Sequence, residues 1–346
     1  MRGSAARISS FALERFLMTW CVLERRQARG VSRGFLRTAT PRGRDHGRGP
    51  DQAADHEGAH SFGSALVAVH GTIVRVLICT LGDLLLDVIV LTRDAAGPDQ
   101  EGTVETRVGA GGQSANVAAW ASELGAEARF VGKRGSDGAA ELAARELEGR
   151  GVELLGAVDD GRGGVVVSLV SPDGSRTMLS DRGVAPLLRA EELETRWFTG
   201  CDWLHLSGYS LLRRPIDEAA AKATGAVQAQ SGRISVDLAS ASGIAEYGPE
   251  RLRRRLELLR PELVFANEAE LAAIGGEVPG TLVLKRGRDG FIVGGADYAA
   301  APAEVVDTTG AGDALAAGYL VGGPELAATA AARCVGRLGA MPESRG

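Results

Sequence analysis

The chain has 346 residues, 45% hydrophobic and 24% charged, a composition that excludes disorder throughout and leaves ample length for a large core. A net charge of -5 at pH 7 provides no basic field for nucleic acid or an anionic membrane, which directs attention to small-molecule partners. Glycine reaches 48 residues without a triplet repeat, so the excess implies many tight turns rather than a collagen-like helix.

Residues 1–73 differ in character from the rest of the chain. They hold eleven Arg against six acidic residues and four of the five His, and 38–63 lacks hydrophobic periodicity. We expect a disordered Arg/Gly-rich extension here, read either as an Arg-rich targeting peptide or as sequence upstream of the true start. A domain is expected over 74–346, opening with the strand-like run 74–80. The four cysteines, Cys21, Cys79, Cys201 and Cys334, have neither CxxC nor Cys/His ligand spacing. That argues against a disulfide framework or structural zinc and fits a reducing cytoplasm. Arg75, Asp83 and Asp87 interrupt the most apolar stretch, so no run reaches the ~18 residues of a membrane span.

From Val74 onward, short β-branched runs alternate with longer Ala/Leu/Glu/Arg segments, the pattern of βαβ units around a mostly parallel sheet. Further strands are predicted over 128–132, 202–206, 233–238, 262–266, 281–285, 291–294 and the strand-like 304–306. Helices are predicted over 114–124, 138–149, 215–230, 249–259, 267–274, 313–321 and 324–337. Segments 86–92, 103–108, 163–170 and 175–180 have no intervening helix. With a hairpin-like turn at Pro172-Asp173-Gly174, they are expected to form a separate small sheet, a lid drawn from about 84–108 and 163–180.

Three motifs carry chemistry. Asp307-Thr308-Thr309-Gly310-Ala311-Gly312-Asp313 has the context of a glycine turn entering a helix. Gly310, Ala311 and Gly312 would present amides to a polyphosphate at a helix N-terminus. A carboxylate there repels the ligand unless it has a task, so Asp313 is either a general base or a helix cap. Gly111-Gly112-Gln113-Ser114-Ala115-Asn116 lets backbone approach a polyol, with Asn116 offering donor and acceptor to hydroxyls; the alternative is a packed helix start. Gly82-Asp83-Leu84-Leu85-Leu86-Asp87 ends the first predicted strand, where ligands of open parallel sheets collect, although Asp83 also reads as a turn residue.

The run from Gly111 resembles the first signature of the PfkB (ribokinase-like) family of carbohydrate and nucleoside kinases and the run from Asp307 its second, in the family's order along the chain. The resemblance implies an α/β ribokinase-like three-layer sandwich with a mostly parallel central sheet and a small β-sheet lid. It implies ATP and Mg2+ as cofactors, with a monovalent cation as a further possibility, and a sugar substrate gripped by Asp87, Gly111, Gly112 and Asn116. Asn267 and Glu270 match an Asn-x-x-Glu element tied to magnesium through water, and also read as a plain capping pair. Lys285, Gly287 and Gly290 resemble the glycine turn beside the nucleotide, and Thr308 and Cys334 are further nucleotide contacts. Arg182, after the lid, either closes over substrate or is a solvated surface residue. Leu85 stands where ribokinase has asparagine, which speaks against ribose.

The function expected is ATP-dependent phosphorylation of a sugar or sugar-acid hydroxyl, with Asp313 as base. A nucleoside kinase is the alternative, disfavoured because 84–108 contains no Phe, Tyr or Trp to face a base. From another class, a silent sugar or nucleotide sensor would keep the loops without turnover. Neither nucleic acid nor membrane is expected as a partner, and the apolar lid strands suit a homodimer.

Overall fold

A computed structural model describes residues 67–69, 72–92, 102–171 and 176–344. Of the extension expected over 1–73 only 67–69 and 72–73 are among them, and the turn at Pro172-Asp173-Gly174 lies outside them. The predicted strand 74–80 straddles two elements: the end of β2 (Thr72–Val74), which pairs antiparallel with β1 (Val67–Val69), and β3 (Leu77–Leu81), which starts the main sheet. Charged Arg75 separates them.

Next come β4 (Leu85–Thr92), β5 (Val104–Gly111), α1 (Gln113–Glu123), β6 (Glu127–Val131), α2 (Gly138–Glu148) and β7 (Glu153–Leu155). β8 (Gly164–Val170), β9 (Arg176–Asp181), β10 (Trp203–Ser207), α3 (Ile216–Gln228) and β11 (Arg233–Asp237) come after these. The chain continues through α4 (Ala241–Tyr247), α5 (Pro249–Leu259), β12 (Leu263–Asn267), α6 (Glu268–Ile274) and β13 (Thr281–Lys285). It ends in β14 (Phe291–Val293), β15 (Ala296–Tyr298), α7 (Ala311–Gly322) and α8 (Pro324–Val335). The short β7, β15 and α4 have no expectation to match, because three to seven residues carry too little periodicity. Residues 304–306 form no strand: Val305 and Val306 are exposed, and the Val306 amide donates to the carbonyl of Val335 at the end of α8.

Nine strands form the main sheet in the order β15-β14-β13-β12-β11-β10-β3-β6-β7, parallel from β13 to β7, with β14 and β15 antiparallel at one edge. Strand order reverses between β10 and β3, the switch point where the carboxyl ends of such sheets open a crevice. Alternating side chains of each strand feed opposite layers. Ile78, Phe130 and Phe265 pack with α1, α2, α7 and α8, whereas Leu81, Leu204 and Val236 pack with α3 to α6. The result is three layers. Trp120 of α1 is fully buried, and its indole N–H donates to the Ala340 carbonyl at 2.8 Å, tying α1 to the C-terminal segment. Truncating this side chain to alanine would cost about 3–5 kcal/mol.

The smaller sheet has the order β5-β4-β8-β9, with β4 and β8 parallel and both outer pairs antiparallel. It comprises the four predicted lid segments, each within a few residues of its expected bounds. β4 leaves the carboxyl end of β3 and β5 returns directly into α1, so the lid grows from the mouth of the crevice.

Candidate active site

The parallel strands deliver a row of polar residues to one edge. Ser207 ends β10, Asp237 ends β11, Asn267 ends β12 and Lys285 ends β13, with Ser207 opposite Asp237 and Asn267 opposite Lys285 in register. Lys285 Nζ donates to Asp237 at 2.6 Å and lies 4.0 Å from Glu270. The Lys285 pKa is raised: burial alone would lower it, but the Asp237 and Glu270 carboxylates outweigh burial. Asp237 belongs to none of the sequence motifs. Its trace in the sequence is an aspartate closing the apolar run Ile234-Ser235-Val236, at the strand end where ligands collect.

Above this row stands the first turn of α7. Gly310 is its N-cap with φ 76, and a Cβ there would lie 2.5 Å from Ala340 Cβ, so only glycine fits the turn. No side chain caps α7, and the Ala311 amide bends back to the Thr308 carbonyl at 3.3 Å. Asp313 therefore does not cap the helix. Its Oδ2 accepts from Asn116 Nδ2 at 2.7 Å, across 197 residues of chain. Desolvation pushes the Asp313 pKa up to about 7, with Asn116 opposing the rise and Asp237 and Asp87 adding to it. The Asn116 Oδ1 is buried without a partner, an acceptor oriented by a residue whose donor is already engaged.

The glycine pair works as close approach demands. A Cβ on Gly111 would fall 2.2 Å from the Asp87 carboxylate carbon. Gly112 has φ 100 and faces the Asp83 carbonyl oxygen at 2.4 Å from the same hypothetical atom. Asp87 is thereby seated beside the start of α1, where burial raises its pKa to about 6 and Arg176 pulls the other way. Asp83 and Arg182 find each other: Nε and Nη2 of Arg182 both donate to the Asp83 carboxylate, the latter bond at 2.8 Å. Asp83 is buried, so it is more than a turn residue, and Arg182 is not a free surface arginine. Tyr209, outside the expected lid, lies with its ring 5.5 Å from the Arg182 guanidinium and supplies an aromatic face that the lid itself lacks.

Asn267 and Glu270 form the reciprocal capping box. The Asn267 side chain accepts from the Glu270 amide, while Glu270 accepts from the Asn267 amide and side chain, each at 2.9 Å. Each Glu270 oxygen keeps a second lone pair, and its pKa is raised by burial. Among the described residues no group of three or more His, Cys, Asp or Glu could hold a metal directly. Glu270, with Asn267 beside it, could serve a magnesium ion that keeps most of its water, but not an all-protein cage.

A cleft of about 470 Å³ runs from this point along α7 and α8. Lys285, Gly287, Gly290, Thr308, Ala311 and Gly312 line it on the side of the α7 start, together with the apolar Pro302, Val305, Ala328, Ala331, Ala332 and Val335. Cys334 does not line it. That thiol is fully buried and points to the carbonyls of Thr309 and Ala340, and its pKa is pushed up to about 12 by burial. Helical spacing explains the error: Ala331, Ala332 and Val335 present the cleft face of α8, and position 334 turns inward.

Known proteins share this architecture. Residues 76–334 match the pfkB family carbohydrate kinase family. The ATP-dependent ribose-1-phosphate kinase of Halopiger xanaduensis is 34% identical over 263 residues, 71% of this chain and 84% of that protein. The fructokinase of Klebsiella pneumoniae is 29% identical over 271 residues, covering 71% of this chain and 83% of its own. In fold, the adenosine kinase from Sinorhizobium meliloti superposes with a TM-score of 0.70 at 22% identity, over 78% of this chain and 96% of that one. A putative ribokinase II from E. coli, solved with ATP and Mg2+, gives 0.65 at 22% identity over 77% and 94%. With a family match spanning most of its length, the chain belongs to the pfkB family of carbohydrate kinases, phosphotransferases that act on an alcohol group.

Proposed function

We propose that this enzyme transfers the γ-phosphoryl group of ATP to a sugar hydroxyl, with Asp313 as the general base. The observation carrying this reading is a carboxylate raised to about 7 and aligned by Asn116 at 2.7 Å, at an uncapped helix start beside Asp87. A base with that pKa is half ionised near neutrality, where acceptance of a hydroxyl proton is most effective. As the acceptor oxygen attacks the γ-phosphorus and its bond to the β-phosphate oxygen breaks, Asp313 takes the proton. The amides of Gly310, Ala311 and Gly312, with Lys285, face the charge on the transferring group. Asp87 and the free acceptor of Asn116 hold acceptor hydroxyls at the glycine pair.

Thr308, Gly287 and Gly290 border the nucleotide, whose base occupies the alanine-walled part of the cleft. Glu270 and Asn267 would hold magnesium through its water, and the ion would supply neutralisation of phosphate charge. A second reading concerns the acceptor. The 34% identical relative is named a ribose-1-phosphate kinase, and Arg182, which pairs with Asp83 beside the acceptor loop, would have to exchange that partner to meet an acceptor that already bears a phosphate.

An ADP-release assay of the full chain with MgATP against ribose 1-phosphate, fructose, ribose, sugar acids and adenosine tests both readings. Turnover with a sugar or sugar phosphate is expected. Turnover with adenosine alone would assign the Tyr209 face to a base, and none with any acceptor would leave a sensor.

A further inference from the structure

Asp307 is a junction of three segments distant in sequence. Its side chain is 1% exposed. It accepts from the amide and hydroxyl of Thr309 in the phosphate loop, at 2.8 and 2.7 Å, and from the Gly339 amide in the C-terminal segment at 2.9 Å. The fourth donor comes from the lid, as Arg176 Nη2 reaches it at 2.6 Å. Arg176 begins β9, an edge strand whose other residues are exposed, yet its own side chain is 20% exposed and its Nε is buried without a partner. The same guanidinium is the opposite charge that lowers the Asp87 pKa against the effect of burial. β4 meets the junction too: Ile89 Cδ1 lies 3.8 Å from where a Gly339 Cβ would be.

We propose that Arg176 is a positioning residue that couples the lid to the phosphate loop, so that nucleotide held by the loop orders the lid over the acceptor. The inference rests on reading residues 310–313 as the phosphate site. A surface ion pair would carry little of this, but here the carboxylate is buried, and withdrawal of Arg176 leaves its charge to neutral donors alone. Those donors belong to the phosphate loop and the C-terminal segment, so a change in either loop conformation or lid position alters the same set of bonds. Linkage then requires reciprocity: a nucleotide that stabilises the closed lid must itself bind more tightly when the lid can close.

Hydrogen exchange of the full chain with and without magnesium AMP-PNP, with calorimetric titration of the same analogue, tests this. In the wild type, nucleotide should slow exchange in 164–170 and 176–181 by about fivefold or more. In Arg176→Met that difference should vanish and AMP-PNP affinity fall by a similar factor, with protection of 203–207 and 233–237 unchanged; Arg176→Lys should restore part of both. A merely structural tie would lower the melting temperature without altering the nucleotide-dependent difference. Equal lid protection by nucleotide in wild type and Arg176→Met overturns the coupling. Should the Met variant lose its central-sheet protection, Arg176→Lys decides by the same comparison, since a full wild-type response there would show that the guanidinium geometry is irrelevant. Nucleotide binding without any lid response overturns the coupling alone, whereas no binding overturns the phosphate-site reading with it.

Discussion

The carboxyl edge of the main sheet and the lid face the same crevice but are built differently. β3 and β10 are buried at every position, and the groups they and their neighbours deliver are fixed by strand register and by side-chain bonds such as Lys285 to Asp237. In β9 five of six residues are exposed, and charged bonds hold that end of the lid: Arg176 to Asp307 and Arg182 to Asp83. Register and close packing place atoms to the tolerance that proton and phosphoryl transfer need. Two ion pairs with buried carboxylates tie down an otherwise exposed edge strand at few points, which suits a part that must admit substrate.

If that contrast is right, damage at the sheet edge should act on turnover and damage in the lid on binding. The largest effect is expected from Asp313→Asn, which should lower kcat by about 10² to 10⁴-fold with AMP-PNP affinity retained in calorimetry. Undiminished turnover would remove the proposed base. Next, Asn116→Leu deletes a hydrogen bond to a carboxylate, a loss of about 1.5–3 kcal/mol or roughly 10 to 150-fold in kcat/KM. Because Asn116 holds the Asp313 pKa down, the acid limb of the rate profile should also move to higher pH in this variant.

The wild-type profile itself sharpens the comparison. The proposed base, Asp313, would have to be ionised, so kcat should rise with pH through an apparent value near 7. Stability should run the opposite way. A carboxyl with a folded pKa above its unfolded one binds more protons in the native state between about 4 and 7, so its contribution declines as pH rises across that window. Asp313→Asn should therefore gain melting temperature relative to wild type at about pH 8 more than at about pH 5.

Arg182→Ala in the lid should raise the acceptor KM by about tenfold, with kcat changed less, as expected when binding and not transition-state contacts are removed. A larger fall in kcat than in acceptor affinity would place Arg182 among the chemical groups and break the contrast. The smallest effect belongs to the donor cleft, where Ala331→Leu should raise the ATP KM a few-fold by filling part of the cleft and leave the acceptor KM alone.

The layers were legible because strands buried on both faces read as apolar runs and the helices as Ala/Leu/Glu/Arg stretches. β13 and α5 fall on their predicted bounds, and the lid strands close to theirs. Residues 304–306 misled because β-branched and apolar character describes a side-chain preference, whereas a strand also needs an unpaired neighbour to bond. In the site, glycine pairs and the acidic residue at the head of α7 carry local chemistry and could be read directly. Asp237 and Arg176 could not: each lies in a motif-free stretch, and its meaning comes from a partner 48 or 131 residues away.

Sequence alone was enough for the layered α/β class and for singling out the glycine turns at 111–112 and 310–312 as candidates, because periodicity, glycine conformational freedom and helix-start electrostatics are properties of short stretches. Only the folded chain reveals that Asn116 aligns Asp313, that Asp83 is engaged by Arg182, that Cys334 faces the core and that the lid meets the phosphate loop at Asp307. Partner choice among buried charges depends on which segments are brought within a few ångströms and stripped of water, and that is settled by packing over the whole chain.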